Sequence, residues 1–292
     1  MKTEEKKAYL YLLITFFLWG SLYVVSKIVL TKLTTFTVAF GRYLIAFIAL
    51  SVMAEKMGTM KIAKEDYKYI AIIGFLGYCV SVSLQLMGTK LAGSSIASLI
   101  NSMNPITISL MGALILKEKL TVNKIVGILL SLVGVYFIIG TGSDINIPGA
   151  MLSILAVVGW SFMSVITRKV SRKYDALTVT RAAIGITVIC DLPLCIYDLC
   201  TTTMTVQFDF IAFAGLCYIG IMCTALTLVL WNKSLAALPA SVCSAFYPVQ
   251  TLTSSTIGIL LFHEAAGFSF FAGTALIIAG VLISLLLTPK NA

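Results

Sequence analysis

The sequence predicts an all-α membrane protein, with ten transmembrane helices arranged as two inverted five-helix repeats and both termini cytoplasmic. Three observations predict it. Apolar residues make up 59% of the 292 and charged residues only 11%, where a soluble domain carries roughly 25% charged; the mean hydropathy is +1.02. Ten stretches are apolar over the roughly 20 residues that a helix needs to cross the hydrocarbon. Landmark residues also recur in the same order at a nearly constant offset. Trp19 recurs as Trp160, Lys90 as Lys233, Pro105 as Pro248, Gly127 as Gly273 and Gly134 as Gly280. Such ordered recurrence marks an internal repeat, with halves at residues 1–142 and 143–292.

The spans are expected at Ala8–Leu30, Thr34–Met53, Tyr67–Thr89, Ser94–Leu116 and Val122–Gly140, then Pro148–Thr167, Ala176–Tyr197, Phe208–Trp231, Ala240–Phe262 and Phe268–Thr288. The first follows a charged start and is too long for a cleavable signal segment. The third follows the longest loop, Ala54–Asp66, whose acidic pair Glu65-Asp66 stands where the helix begins, a favourable place for negative charge. The fourth is interrupted by Pro105 and stops at Lys117-Glu118-Lys119. The ninth repeats that pattern at Pro248, with Glu264 beyond its end. The fifth carries a stripe of Gly127, Ser131 and Gly134, echoed by Gly273 and Gly280 on the tenth. Small residues of this kind let helices approach closely; packing within the chain is the expected use, and a homodimer contact the alternative.

With the N-terminus inside, 16 lysines and arginines fall in cytoplasmic segments and three outside, as the positive-inside rule requires. The net charge of +9 is therefore a topology signal and implies no nucleic-acid partner. Five spans per half is an odd number, so the second half enters from the opposite face. That is the arrangement by which carriers alternate access around a midplane site. The seven cysteines form no CxxC pair and sit mostly inside apolar spans, where they read as small hydrophobes; no metal or cofactor is implied.

Several stretches carry a resemblance: FFLWGSLYVVSK in the first span, FGRYLIAF in the second, and the apolar-Pro-apolar-Lys-Glu run of Ile100–Lys119. GILLSLVGVYFI and GTALIIAGVLIS close the two halves. Together they resemble the EamA type of the drug/metabolite transporter superfamily. The resemblance implies inner-membrane carriers, often exporters of amino acids, metabolites or toxic organic compounds. It also implies a central cavity lined by helices 1, 3, 4, 6, 8 and 9, with helices 5 and 10 at the periphery. The small four-helix multidrug members carry a membrane glutamate in helix 1. Here that helix reads LLITFFLWGSLYVVSKIVL, which argues against simple proton/cation antiport through it.

Ionisable residues inside a membrane are functional candidates by default. Arg42 is either an anchor for a substrate carboxylate or a structural arginine, and Arg181 is structural. Asp191 is the one acid well within a span, followed by Pro193, and is a candidate for proton coupling or a capping role. Glu118 and Glu264 occupy equivalent helix ends and read as boundary or gate residues. The expected substrate site is polar and aromatic. It comprises Trp19 and Tyr23 on helix 1, Tyr78 and Gln85 on helix 3, and Asn101 and Asn104 on helix 4. Trp160, Tyr218, Tyr247 and Gln250 complete it from the second half. The function expected is secondary-active transport, outward, of a small organic solute with an apolar or aromatic part and a polar end. A membrane-embedded enzyme acting on lipid-linked substrates, or a channel, are the alternatives. The partners implied are that solute and the lipid bilayer of the cell's inner membrane.

Overall fold

A computed structural model describes residues 2–92, 100–101, 103–117, 121–139, 146–203, 206–262 and 268–286. These residues are helical apart from short turns and connectors. The helices are α1 (Lys2–Leu30), α2 (Thr35–Met57), α3 (Tyr67–Ala92), α4 (Asn104–Leu116) and α5 (Val122–Ile139). They are followed by α6 (Ile147–Ser171), α7 (Ala176–Thr201), α8 (Phe210–Ala237), α9 in two pieces (Ala240–Ser244 and Tyr247–Phe262) and α10 (Phe268–Leu286). Among the described residues, six helices are long and apolar enough to cross a membrane, and Asn104–Leu116, Ile125–Gly134 and Phe271–Gly280 are shorter apolar stretches.

Polar side chains set the helix starts. Asn146, Asp175 and Asp209 each accept a backbone N–H from further along the first turn, at Gly149, Thr178 and Ala212, satisfying donors that a helix N-terminus leaves open. Prolines act differently from a simple kink. Pro105 stands in the first turn of α4 and Pro248 in the first turn of the second piece of α9, each after a break in the helix. The missing N–H of proline is harmless in a first turn. Equivalent bonds span the two breaks: Ile106 N to Met103 O at 3.0 Å and Val249 N to Phe246 O at 2.9 Å.

Two helices change gauge midway. Ile72–Ser81 in α3 and Ile221–Leu226 in α8 are π-helical, a widened turn that recurs at functional sites. In each, a hydroxyl donates across the widened turn to a preceding carbonyl: Ser81 to Leu76 O at 2.7 Å and Thr224 to Ile219 O at 2.8 Å. Donors and acceptors alike are related between the halves by the offset that relates Pro105 to Pro248.

Packing runs between the halves. α1 lies against α8 and α9, and α6 against α3 and α4. α2 runs antiparallel to α7, with Phe36 N bound to Asp198, Thr37 beside Cys195 and Ser51 bound by Arg181. α5 runs antiparallel to α10. A Cβ on Gly134 would sit 2.6 Å from Gly273 O, and one on Gly280 would sit 2.5 Å from Gly127 O. The two small-residue stripes therefore face each other within the chain, which is the packing use expected for them.

Candidate functional site

The apolar residues of α1 divide between two solvents. Phe17 faces outward at 56% exposure while Phe16 is fully buried, and Phe16 starts a cluster of rings where the halves meet. Its centroid lies 5.3 Å from that of Trp19, 5.8 Å from Trp231 and 4.8 Å from Tyr247. Trp19 meets Trp160 edge-on at 5.9 Å, so the two tryptophans at equivalent positions of the halves touch one another. The cluster continues from Trp160 through Tyr78 to Tyr43, with centroids 6.1 Å apart at each step. It draws on α1, α2, α3, α6, α8 and α9.

Polar groups hold these rings in place. The Trp19 indole donates to Thr227 Oγ1 at 3.0 Å, and the Trp160 indole to the Tyr247 hydroxyl. Thr227 itself donates to Cys223 O at 2.7 Å, beside the widened turn of α8. The Trp231 indole nitrogen and the Tyr78 hydroxyl are buried without a hydrogen-bond partner among the described residues. Buried polar atoms of this kind are rare enough to call for an explanation; here they lie among aromatic faces that can stack on a ring or hold a cation.

The expected site residues fall into three groups. Trp19, Tyr78, Trp160 and Tyr247 come together in the ring cluster. Asn104 bonds within its own turn, and Tyr218 and Gln250 lie on contacts with α1. Asn104 binds the Asn101 carbonyl at 2.8 Å and its side-chain oxygen at 2.6 Å; Tyr218 binds Ser21 at 2.7 Å; and Gln250 is buried where α9 crosses α1 at Gly20. Gln85 is half-buried on α3. The Tyr23 side chain, Glu118 and Glu264 lie outside the described residues. At the break before α4, the Ser244 hydroxyl of α9 lies 3.4 Å from Pro105 O. Phe16, Tyr43 and Trp231 belong to the cluster although sequence reasoning misses them, because in sequence a buried ring resembles a lipid-facing one.

The charged residues separate clearly. Arg181 binds Ser51 Oγ at 3.1 Å and lies over Phe47, a structural setting. Arg168, expected in a cytoplasmic loop, is 5% exposed and donates to Leu235 O at 2.6 Å, at the end of α8. A cation at a helix C-terminus is favourable, and it ties α6 to α8. Arg42 donates from Nε to Thr224 Oγ1 at 3.1 Å and rests over the Tyr43 ring. Asp191 is 2% exposed, and its Oδ1 has no hydrogen-bond partner among the described residues. No ion pair within 4.0 Å joins Arg42 to it.

Comparison with known proteins gives a consistent picture. A family model described as the EamA-like transporter family matches residues 6–140 and again 147–286. An uncharacterized transporter of Archaeoglobus fulgidus is 24% identical over 96% of this chain and 98% of its own length. The uncharacterized transporter YcxC of Bacillus subtilis is 26% identical, over 97% and 94% respectively. An S-adenosylmethionine/S-adenosylhomocysteine transporter of Chlamydia muridarum is 24% identical over 60% of this chain and 58% of its own. A solved crystal structure with 18% identity superposes with a TM-score of 0.83, covering 96% of this chain and 99% of that one; the fold is shared.

Proposed function

The chain belongs to the EamA-like transporter family, and from that premise we propose that it is a secondary-active carrier exporting a small organic solute across the plasma membrane. In this reading ten spans form two inverted five-helix repeats, residues 1–142 and 143–292, with both termini cytoplasmic. The antiparallel pairing of α2 with α7 and of α5 with α10 supports it. So do the matched widened turns of α3 and α8. The solute binds where the repeats meet.

One observation carries the proposal: the equivalent residues Trp19 and Trp160 touch at the centre of a ring cluster shared by both halves. A site on that seam changes its exposure when one repeat rocks against the other. The rings favour a solute with an aromatic or cationic part. Arg42 is the nearby cation for a carboxylate on that solute, its Nη groups having no carboxylate within 4.0 Å among the described residues. Asp191 is the residue to carry a coupled proton.

The test begins with a thermal-unfolding screen of purified protein against amino acids, amines, sugars, nucleosides and S-adenosylmethionine, since a ligand of the folded state raises its stability by mass action. A ring-bearing hit is then followed in liposomes, where saturable counterflow is expected. Flux without saturation or counterflow would make the protein a channel and end the carrier reading.

A further inference from the structure

Two ion pairs in the connecting segments are copies of one another, exchanged between the halves. Lys32, in the turn after α1, binds Asp209, the residue that caps α8. Lys173, in the turn after α6, binds Asp66, immediately before α3, at 2.5 Å. Lys32 stands to Lys173 as Trp19 stands to Trp160, and Asp66 to Asp209 as Pro105 to Pro248. Each pair thus ties the first turn of one half to the third helix of the other.

The backing of the two pairs differs. Beside Lys32, Leu33 is fully buried with Val29, Val38, Leu216 and Ile219, and Gln207 N donates to Lys32 O at 3.0 Å. The residue equivalent to Leu33 is Tyr174. Its hydroxyl donates to Asp66 Oδ2 at 2.6 Å and accepts from Ala63 N at 3.1 Å. One fastening is sealed by apolar contact and the other by hydrogen bonds.

We propose that these two ion pairs are the access clasps of the carrier, one closing each face of the solute path, and that the cycle opens them in alternation. The proposal rests on the inverted-repeat reading, which puts the turn after α1 and the turn after α6 on opposite faces. Both pairs are formed here, so in this reading the conformation is an occluded one. Exposed ion pairs are weak and solvent-screened, suited to breaking and re-forming at every turnover. The lysine–aspartate pair itself is the same in both clasps, so breaking one costs about as much attraction as forming the other gains.

Hydrogen exchange on the purified chain in lipid nanodiscs tests this without a known solute. Lys32→Gln should speed exchange over residues 206–212 by about threefold and slow it at residues 60–66 and 172–175 by a similar factor. Lys173→Gln should do the reverse. Lysine variants leave the aspartates that start α3 and α8 in place, and Lys32→Arg and Lys173→Arg, which keep the charge, should return both faces to the wild-type rates. Loosening confined to the altered face, or loosening of both faces together, would overturn the clasps and leave two static struts. Saturable counterflow alongside such a result would keep the carrier and remove only the clasps; absent counterflow would remove the carrier reading, whatever the exchange shows.

Discussion

Replacing Trp19 with phenylalanine separates the two roles an indole can play in the ring cluster. Trp19 is 6% exposed and touches Phe16, Trp160, Trp231 and Tyr247. Phenylalanine keeps a ring against those neighbours and loses the N–H that donates to Thr227 Oγ1. The Thr227 hydroxyl still has Cys223 O to donate to, so no donor is orphaned. Such a bond inside a membrane protein contributes about 0.6 kcal/mol, and with a small packing loss the variant should stay within about 2 kcal/mol of wild type. Trp19→Ala, by contrast, opens a cavity worth about 3–5 kcal/mol. If the indole face also holds the solute, the weaker phenyl face should forfeit about 0.5–1 kcal/mol of binding, a rise of about two- to fivefold in half-saturation. The assay is counterflow in liposomes, with unfolding temperatures measured on the same preparations. A Trp19→Phe carrier that folds normally and keeps the wild-type half-saturation would show that the indole is packing alone.

Three further outcomes are expected. Gly280→Ala puts a Cβ 2.2 Å from Ser131 Oγ and 2.5 Å from Gly127 O, so it should force α5 from α10 and lower stability by about 1–3 kcal/mol; an unchanged unfolding temperature would contradict the seam. The Asp209 carboxyl is held below its ordinary value of 3.8 by Lys32 and by the Ala212 N–H. Its folded-state pKa is depressed, so its contribution is full above 3.8 and is lost as pH falls through the lower folded value. Unfolding temperatures against pH should therefore show an acid-side loss in wild type that shrinks in the Asp209→Asn variant. Cys200 is exposed near the end of α7, on the outer face in the proposed topology. A membrane-impermeant maleimide should label it in intact cells; labelling that requires permeabilisation would reverse the orientation.

The helices are legible because lipid-spanning stretches announce themselves by length and apolarity; α5 and α7 begin at the residues expected, Val122 and Ala176. The prolines are legible as interruptions but not in form. The sequence marks an interruption at Pro105 and at Pro248 without showing that each proline stands in the first turn of a restarted helix. The widened turns of α3 and α8 leave no mark, since one extra residue in a wholly apolar run disturbs no pattern. Trp231 looks like a span terminus beside Lys233, yet α8 continues to Ala237 and the ring is fully buried. Arg168 misleads for the opposite reason: a basic residue near a helix end reads as solvated, and only the fold shows the α8 carbonyl that it reaches. Within the site, Trp19 and Trp160 can be found by their matching positions, whereas Phe16 and Tyr43 have no such signal.

The glycines between α5 and α10 have a mechanical consequence. Backbone is pressed on backbone there, with the Ser131 and Ile277 side chains packed into the crevice beside Gly280 and Gly134, so sliding one helix along the other would meet a close contact. In the proposed carrier the two would form a spine joining the ends of both repeats, around which a rocking motion would pivot. Engineering aimed at turnover speed should leave that axle alone and work on the hinges it serves.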